Sequence, residues 1–406
     1  MRAWPGIGLC FLCLLAGRAP AQTVSPGPDT LEAVQAGPPQ AVPENFTAKG
    51  YVKQLQTFIL VRGLDSLVTD NLLHNRLNFR YEVDSTLGFV VELRTRLFYG
   101  DLLRAIPFYP QLIDSGNDVW DLSAMPLKSR SLLVHTMLDR VYGEWVKDRL
   151  EVRLGRQRIN WGLNLVWNPN DIFNAYSYFD FDYEERPGSD AIRVRYFRGF
   201  AGGMEFAARL STDPDQRTLA ALYRFNSSQY DWQFLGGMMG REAVVGLGWA
   251  GSILDAGFKG ELTYFHPYRA PLEASGQLLA SVSADYSFAS SLYLHGSVLY
   301  NSLGARDAPA FLFQAFQQGR QSVKNLSPYR YNLFGQVSYT FHPLLNGGLA
   351  SIYFPQAGSF FLNPVLTYSA FPNFDLDAVG QLLLDAEQGK FRMTSKAIFL
   401  RLKWSF

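Results

Sequence analysis

The chain has 406 residues, is 48% hydrophobic and 15% aromatic, and is only 18% charged, with a formal net charge of +1. Its 37 Lys and Arg against 36 Asp and Glu leave no global basic field for nucleic acid. Such a charged fraction is low for a soluble domain, yet beyond the N-terminus no stretch approaches the ~20 unbroken apolar residues of a membrane-spanning helix.

Met1 to Ala21 places Arg2 before an apolar run, Ile7 to Ala16, and ends in Ala19-Pro20-Ala21. This is the layout of a secretory signal peptide cleaved after Ala21, with an apolar run too short to span a bilayer. Both cysteines, Cys10 and Cys13, fall inside it, and no small-residue lipobox precedes either. The expected mature chain therefore has no disulfide framework or thiolate metal site, and loss of Arg2 and Arg18 takes its charge to −1. Residues 22–49 are rich in Pro, Gly, Gln and Ala without periodicity and read as a disordered periplasmic arm. Asp29 to Val34 carries a slight likeness to a TonB box. The chain is too short for a plug and a 22-stranded barrel, so the stretch reads as a linker.

Residues 50–406 alternate between apolar and polar in short runs bounded by turn residues, the period of β-strands. Strands are expected at about 50–61, 72–83, 87–99, 131–142, 150–158, 191–200, 203–211, 217–226, 229–239, 243–253, 256–265, 277–287, 291–300, 331–341, 346–354, 360–368, 374–384 and 396–406. That gives about eighteen, the even number that single-chain bacterial barrels have. The connections sort by parity. Short turns fall at 84–86, 226–228, 254–255, 288–290 and 341–344, and the very long loops, about 100–130, 159–190 and 301–330, all follow odd-numbered strands. Short periplasmic turns opposite long extracellular loops are the rule for transmembrane barrels. The expected fold is an all-β, antiparallel, up-and-down transmembrane barrel of one domain.

The last strand states the pattern most plainly. Ile398, Leu400, Leu402, Trp404 and Phe406 share one face, and Phe399, Arg401, Lys403 and Ser405 share the other. A free Phe at the end of such a strand resembles the closing strand and assembly signal of bacterial outer-membrane barrels. That resemblance implies an outer-membrane location and the barrel-assembly machinery and membrane lipid as partners.

Charge at mid-membrane on a lipid face costs about 2–4 kcal/mol, so charged strand positions are expected to face inward. On that basis Arg76, Arg80, Glu92, Arg94, Arg96, Glu151, Arg153, Arg193 and Arg195, with Arg401 and Lys403 beside the first strand on closure, line one basic wall of the lumen. They read either as a pore-lining ladder or as cross-strand partners of Glu82, Glu92 and Glu151. Strands at 217–226, 243–253 and 277–287 are built from Ala, Gly, Ser, Val and Leu and make a small, neutral wall.

Arg156 to Asp190 mixes Trp161, Trp167, Phe173, Tyr176, Tyr178 and Phe179 with Asp171, Asp180, Asp182, Glu184 and Glu185. Folded into the lumen, it would bury its aromatics on the wall and aim those five carboxylates at the arginines as a constriction. An extracellular cap or a sugar-binding aromatic surface is the other reading. Leu154-Gly155-Arg156-Gln157, Asn160-Trp161-Gly162 and Asn168-Pro169-Asn170-Asp171 resemble the strand-plus-loop signature of porin-like and alginate-export-like barrels. The resemblance implies transport.

His295 and Ser297 share a strand face with Asn301 nearby, a slight likeness to the His-x-Ser of outer-membrane phospholipase. Leu294, Val298 and Tyr300 form the lipid side of that strand, so His295 and Ser297 face away from lipid substrate, and no enzyme is expected. Five scattered histidines give no metal signature, and no cofactor is implied. The function expected is passive diffusion of small hydrophilic solutes, anionic or sugar-like, past a basic wall and an inward loop. A polysaccharide export or anchoring barrel and a sealed structural or adhesion barrel are the alternatives. Oligomeric state is not legible at this level.

Overall fold

The computed structural model describes residues 45–61, 67–114, 119–174, 178, 188–199, 202–268, 275–306, 322–387 and 389–406. Its strands are β1 (Phe46–Val61), β2 (Val68–Glu82), β3 (Leu87–Gly100), β4 (Ser123–Lys128), β5 (Leu133–Lys147), β6 (Leu150–Gln157), β7 (Ser189–Arg198), β8 (Gly202–Arg209), β9 (Thr218–Ser227), β10 (Tyr230–Met239), β11 (Glu242–Ile253), β12 (Ala256–Pro267), β13 (Gln277–Ser287), β14 (Leu292–Asn301), β15 (Tyr331–His342), β16 (Leu345–Phe354), β17 (Ser359–Phe371), β18 (Phe374–Glu387) and β19 (Lys390–Ser405). Two single-turn helices, α1 (Asp101–Ala105) and α2 (Tyr109–Ile113), lie between β3 and β4. With β4 set aside, each strand pairs antiparallel with the next, and β19 pairs with β1 from Tyr51↔Ser405 to Val61↔Ser395. The result is a closed, eighteen-stranded antiparallel barrel, in the order the sequence pattern predicts. The last residue completes the seam, because Phe406 N donates to Gly50 O at 2.9 Å and Gly50 N to Phe406 O at 2.8 Å.

Alternation decides which side faces lipid. Leu73, Phe206, Leu219, Phe234, Val245, Leu333, Leu349, Leu366, Leu400 and Leu402 are exposed, and their strand neighbours point into the lumen. Trp404, Phe406 and Tyr81 mark the short-turn end of this apolar belt, as aromatic girdles do in membrane barrels. Among the described residues no helix is long and apolar enough to cross a membrane.

The departures from simple alternation have local causes. β19 starts at Lys390 rather than Lys396, because a bulge beside Thr394 shifts the phase between Met393 and Ser395. The Thr394 hydroxyl there donates to Asp385 Oδ2 at 2.7 Å. β1 starts at Phe46, ahead of the expected Gly50. A second bulge, opposite Glu92 and Leu93, inserts Asp139 into β5 and turns it, together with Arg140, toward the lumen. β4 was not expected. It pairs with β5 above the point where β6 leaves the wall, and so fills the gap left by the chain that becomes the inner loop. Arg156 and Asp190 seal that junction. By alternation the pair lies on the outer side with Leu154 and Ile192, yet both are buried. Arg156 holds Asp190 at 2.8 and 3.2 Å and Trp120 O at 2.6 Å, while Trp120 N donates to Asp190 Oδ2 at 3.0 Å.

Candidate functional site

The lumen has two unlike walls. From β2 to β9 the inward positions are charged. Arg76 is fully buried and pairs with Glu92 and, at 2.9 Å, with Asp139. Arg94 lies 3.9 Å from the same Asp139, and Arg140 lies 3.4 Å from Glu92. Arg80 bridges Glu82 and Glu144, and Arg153 bridges Glu144 and Glu151. Arg96 bonds Ile113 O at 3.3 Å and the His135 ring at 3.1 Å, which ties α2 to the upper wall.

Glu205 on β8 is the hub of this wall. Its carboxylate accepts from Arg193 at 2.7 and 3.1 Å and has Arg195 at 3.4 Å and Arg224 at 3.7 Å. Arg195 also lies 3.4 Å from Glu151. Breaking a buried pair of this kind by removing one partner costs about 3–5 kcal/mol, because the charge left behind is uncompensated. Among the described residues of this wall, guanidinium groups (Arg76, Arg80, Arg94, Arg96, Arg140, Arg153, Arg193, Arg195, Arg209, Arg224) outnumber carboxylates (Asp70, Glu82, Glu92, Asp139, Glu144, Glu151, Glu205). Arg140, Arg153, Arg195 and Arg224 remain 19, 23, 16 and 27% exposed. Arg401 pairs with Asp377 at 2.8 Å, and the ammonium of Lys403 lies 4.8 Å from the Tyr51 ring centre, over its face. In strand register these eleven positions share the face opposite the exposed Leu73, Leu154, Ile192, Leu400 and Leu402, and most are held by partners.

The opposite wall, β10 to β18, has fewer charges, Lys259, Glu261, Asp285, Asp375, Asp377 and Asp385 among them, with many small or apolar positions between, and residues 158–174 lie on it. Glu261 on β12 accepts three backbone N–H groups from the loop: Leu163 at 2.6 Å, Asn164 at 2.8 Å and Asn170 at 2.8 Å. Thr263 donates to Asn170 Oδ1 at 2.7 Å, Ser283 to Asn164 Oδ1 at 2.7 Å and Gln233 to Trp161 O at 2.8 Å. The small residues are needed for this approach. A Cβ at Gly246 would meet Asn170 Oδ1 at 2.7 Å, and one at Gly248 would meet Asn170 Nδ2 at 2.9 Å. Trp161 and Phe173 pack edge to face at 4.8 Å within a cluster that includes Ile159, Leu222, Leu235 and Leu279. Val166 and Trp167 join Leu299, Phe334, Ile352 and Phe354. The Trp161 indole donates to Glu205 at 2.7 Å, so the loop touches the hub of the basic wall as well.

The segments singled out from the sequence thus build the seat of the loop. Gly155 takes φ 126, and a Cβ there would strike Val141 O. Gln157 donates to Arg153 O and Ala191 O, both at 3.1 Å, where the chain turns off the wall. Of the five expected constriction carboxylates, Asp171 is buried and accepts from Trp161 N at 3.4 Å. Asp180, Asp182, Glu184 and Glu185 lie outside the described residues. Glu205, Glu261 and Asp139 were missed by the sequence reading. Glu205 and Glu261 are each flanked by apolar outward neighbours, a signal that marks them as inward. His295 and Ser297 face the lumen, as expected, and Ser297 donates to Val282 O at 3.1 Å. Among the described residues no group of His, Cys, Asp and Glu could hold a metal ion.

No family model matches the chain, and no curated protein matches it in sequence. Its fold is similar to that of solved bacterial barrels. The crystal structure of Pseudomonas aeruginosa OccK11 (OpdR) is 11% identical, with a TM-score of 0.55 over 89% of this chain and 96% of that one. Acinetobacter baumannii OccAB3 is 10% identical, with a TM-score of 0.56 over 89% and 99%. P. aeruginosa OccK2 (OpdF), solved in complex with glucuronate, is 10% identical, with a TM-score of 0.54 over 90% and 100%. At these identities the likeness is one of fold. Closed at eighteen strands and belted with lipid-facing aliphatic and aromatic side chains, the chain is a transmembrane β-barrel of the cell outer membrane.

Proposed function

We propose that this barrel is a passive channel for small hydrophilic solutes that favours anionic, sugar-acid-like ones. The observation that carries the reading is the asymmetry of the lumen. One wall presents surplus guanidinium, and the other is covered by a chain segment anchored on Glu261. A solute crossing between them passes Arg140, Arg153 and Arg195, whose planar groups suit carboxylates. Transport of this kind needs no covalent chemistry; pore radius and charge set it. The glucuronate held by one barrel of similar fold is a solute of this class. A conduit for a polysaccharide chain needs a wide lumen, and a loop seated across β10–β18 narrows it.

In this reading residues 1–21 are a secretion leader. Liposomes containing the purified barrel provide the test. Glucuronate should enter faster than glucose, which has the same carbon skeleton without the charge. Equal entry of the two, or no entry of either, overturns the proposal.

A further inference from the structure

The lipid-facing surface is not uniform. On β9 to β18 the outward positions within the belt carry no Asn or Gln among the described residues; they are aliphatic, aromatic or small, as at Phe234, Val245, Leu333 and Leu366. On β1 and β2 the same positions hold Gln54, Gln56, Asn71 and Asn75. Register fixes their facing. Gln54 lies opposite Leu402 and Leu73, Gln56 opposite Leu400, and Leu73, Leu400 and Leu402 are all exposed on the outer side. Asn71 faces Gln56 across the strand pair, and Asn75 faces Val52, the partner of Trp404. The band therefore lies within the apolar belt, on the membrane side of the Trp404 girdle.

These amides are largely unpaired. Gln56 donates to Asp70 O at 3.2 Å and Asn75 to Tyr51 O at 3.3 Å, both backbone oxygens. Gln54 and Asn71 make no side-chain hydrogen bond among the described residues, and none of the four amide oxygens accepts one. In hydrocarbon an unsatisfied amide is costly, so polar groups at this depth are found where another protein surface covers them.

We propose that the outer face of β1 and β2 is the contact by which copies of this chain associate side by side in the membrane. Two properties select a second copy. A primary amide is both donor and acceptor, so a band of amides is complementary to itself. The membrane also fixes depth and orientation, so in two copies the bands stand at one height and meet. A different partner would need its own polar groups at that depth. The same patch on both copies makes a two-fold contact about the membrane normal, which closes as a dimer.

Cross-linking in intact outer membranes tests this. Cys10 and Cys13 lie in the expected leader, so single cysteines can be placed in a clean background. Gln54→Cys and Asn75→Cys should form disulfide-linked dimers of the chain under mild oxidation, and Val245→Cys and Leu333→Cys, on the apolar outer face, should not. In mild detergent the native chain should have the mass of a dimer. Gln54→Leu, Gln56→Leu, Asn71→Leu and Asn75→Leu combined should give the mass of one chain while keeping the heat-modifiable mobility of a folded barrel. A monomeric native chain, equal cross-linking at the control sites, or adducts to another protein or to none overturns the proposal. Failure here leaves the channel reading intact, because solute entry does not depend on association.

Discussion

The two walls of the lumen solve opposite problems with opposite residue types. The wall from β2 to β9 keeps ionised groups at membrane depth, which it can do because most of its guanidinium groups have a carboxylate within reach and Glu205 serves three of them. The wall from β10 to β18 keeps fewer charges, and its Gly, Ser and Thr positions let a second layer of chain lie directly on the strands. One buried carboxylate, Glu261, aligns that layer. The difference teaches that small residues inside a barrel need not mean empty space. Here they mark where the loop is seated, and the charged wall marks what the loop leaves uncovered.

Removing the loop's anchor should have the largest effect. Hydrogen bonds to a charged group contribute about 1.5–3 kcal/mol each, and Glu261 accepts three. Glu261→Leu should release residues 158–174 and raise single-channel conductance severalfold, with Glu261→Gln intermediate. An unchanged conductance in a folded Glu261→Leu barrel would mean that the seat does not depend on this residue. Next in size, Glu205→Gln leaves Arg193, Arg195 and Arg224 facing one another. It should cost about 3–5 kcal/mol and lower the temperature at which heat-modifiable mobility is lost, while making the pore more anion-selective. A smaller effect is expected from crowding the seat. Gly246→Ala should displace Asn170 by a few tenths of an ångström and lower stability by about 1–3 kcal/mol, as overpacking does, with selectivity unchanged.

Much of this architecture is legible in the sequence because strand facing is local. The alternation in Lys396 to Phe406, or in Arg76 to Tyr81, needs no knowledge of the partner strand to say which side is wet. The same rule puts the eleven expected wall residues on one face of their strands. It fails at Asp139, where a bulge breaks the period and brings in the acid that Arg76 requires. It is also silent about β4, whose place in the wall exists only because β6 leaves early for the lumen. Glu205 and Glu261 were readable as inward but not as hubs. The partners of Glu261, and Trp161 at Glu205, arrive from a loop whose placement has no periodic signature. The aromatics of that loop did signal burial, and Trp161, Trp167 and Phe173 are buried as expected. Its later acids, Asp180 to Glu185, lie outside the described residues.

The central claim is that the uncovered arginines, and not the barrel alone, set what crosses. Reversal potential across a salt gradient in a planar bilayer tests it most directly. The native barrel should be anion-selective. Arg140→Gln, Arg153→Gln and Arg195→Gln combined should shift the potential toward cations, because the remaining carboxylates then dominate the lumen. The shift should shrink at ~1 M salt, where the Debye length is ~3 Å. A correctly folded triple variant with an unchanged reversal potential would contradict the account and make the arginines structural partners of Glu92, Glu144 and Glu151 alone.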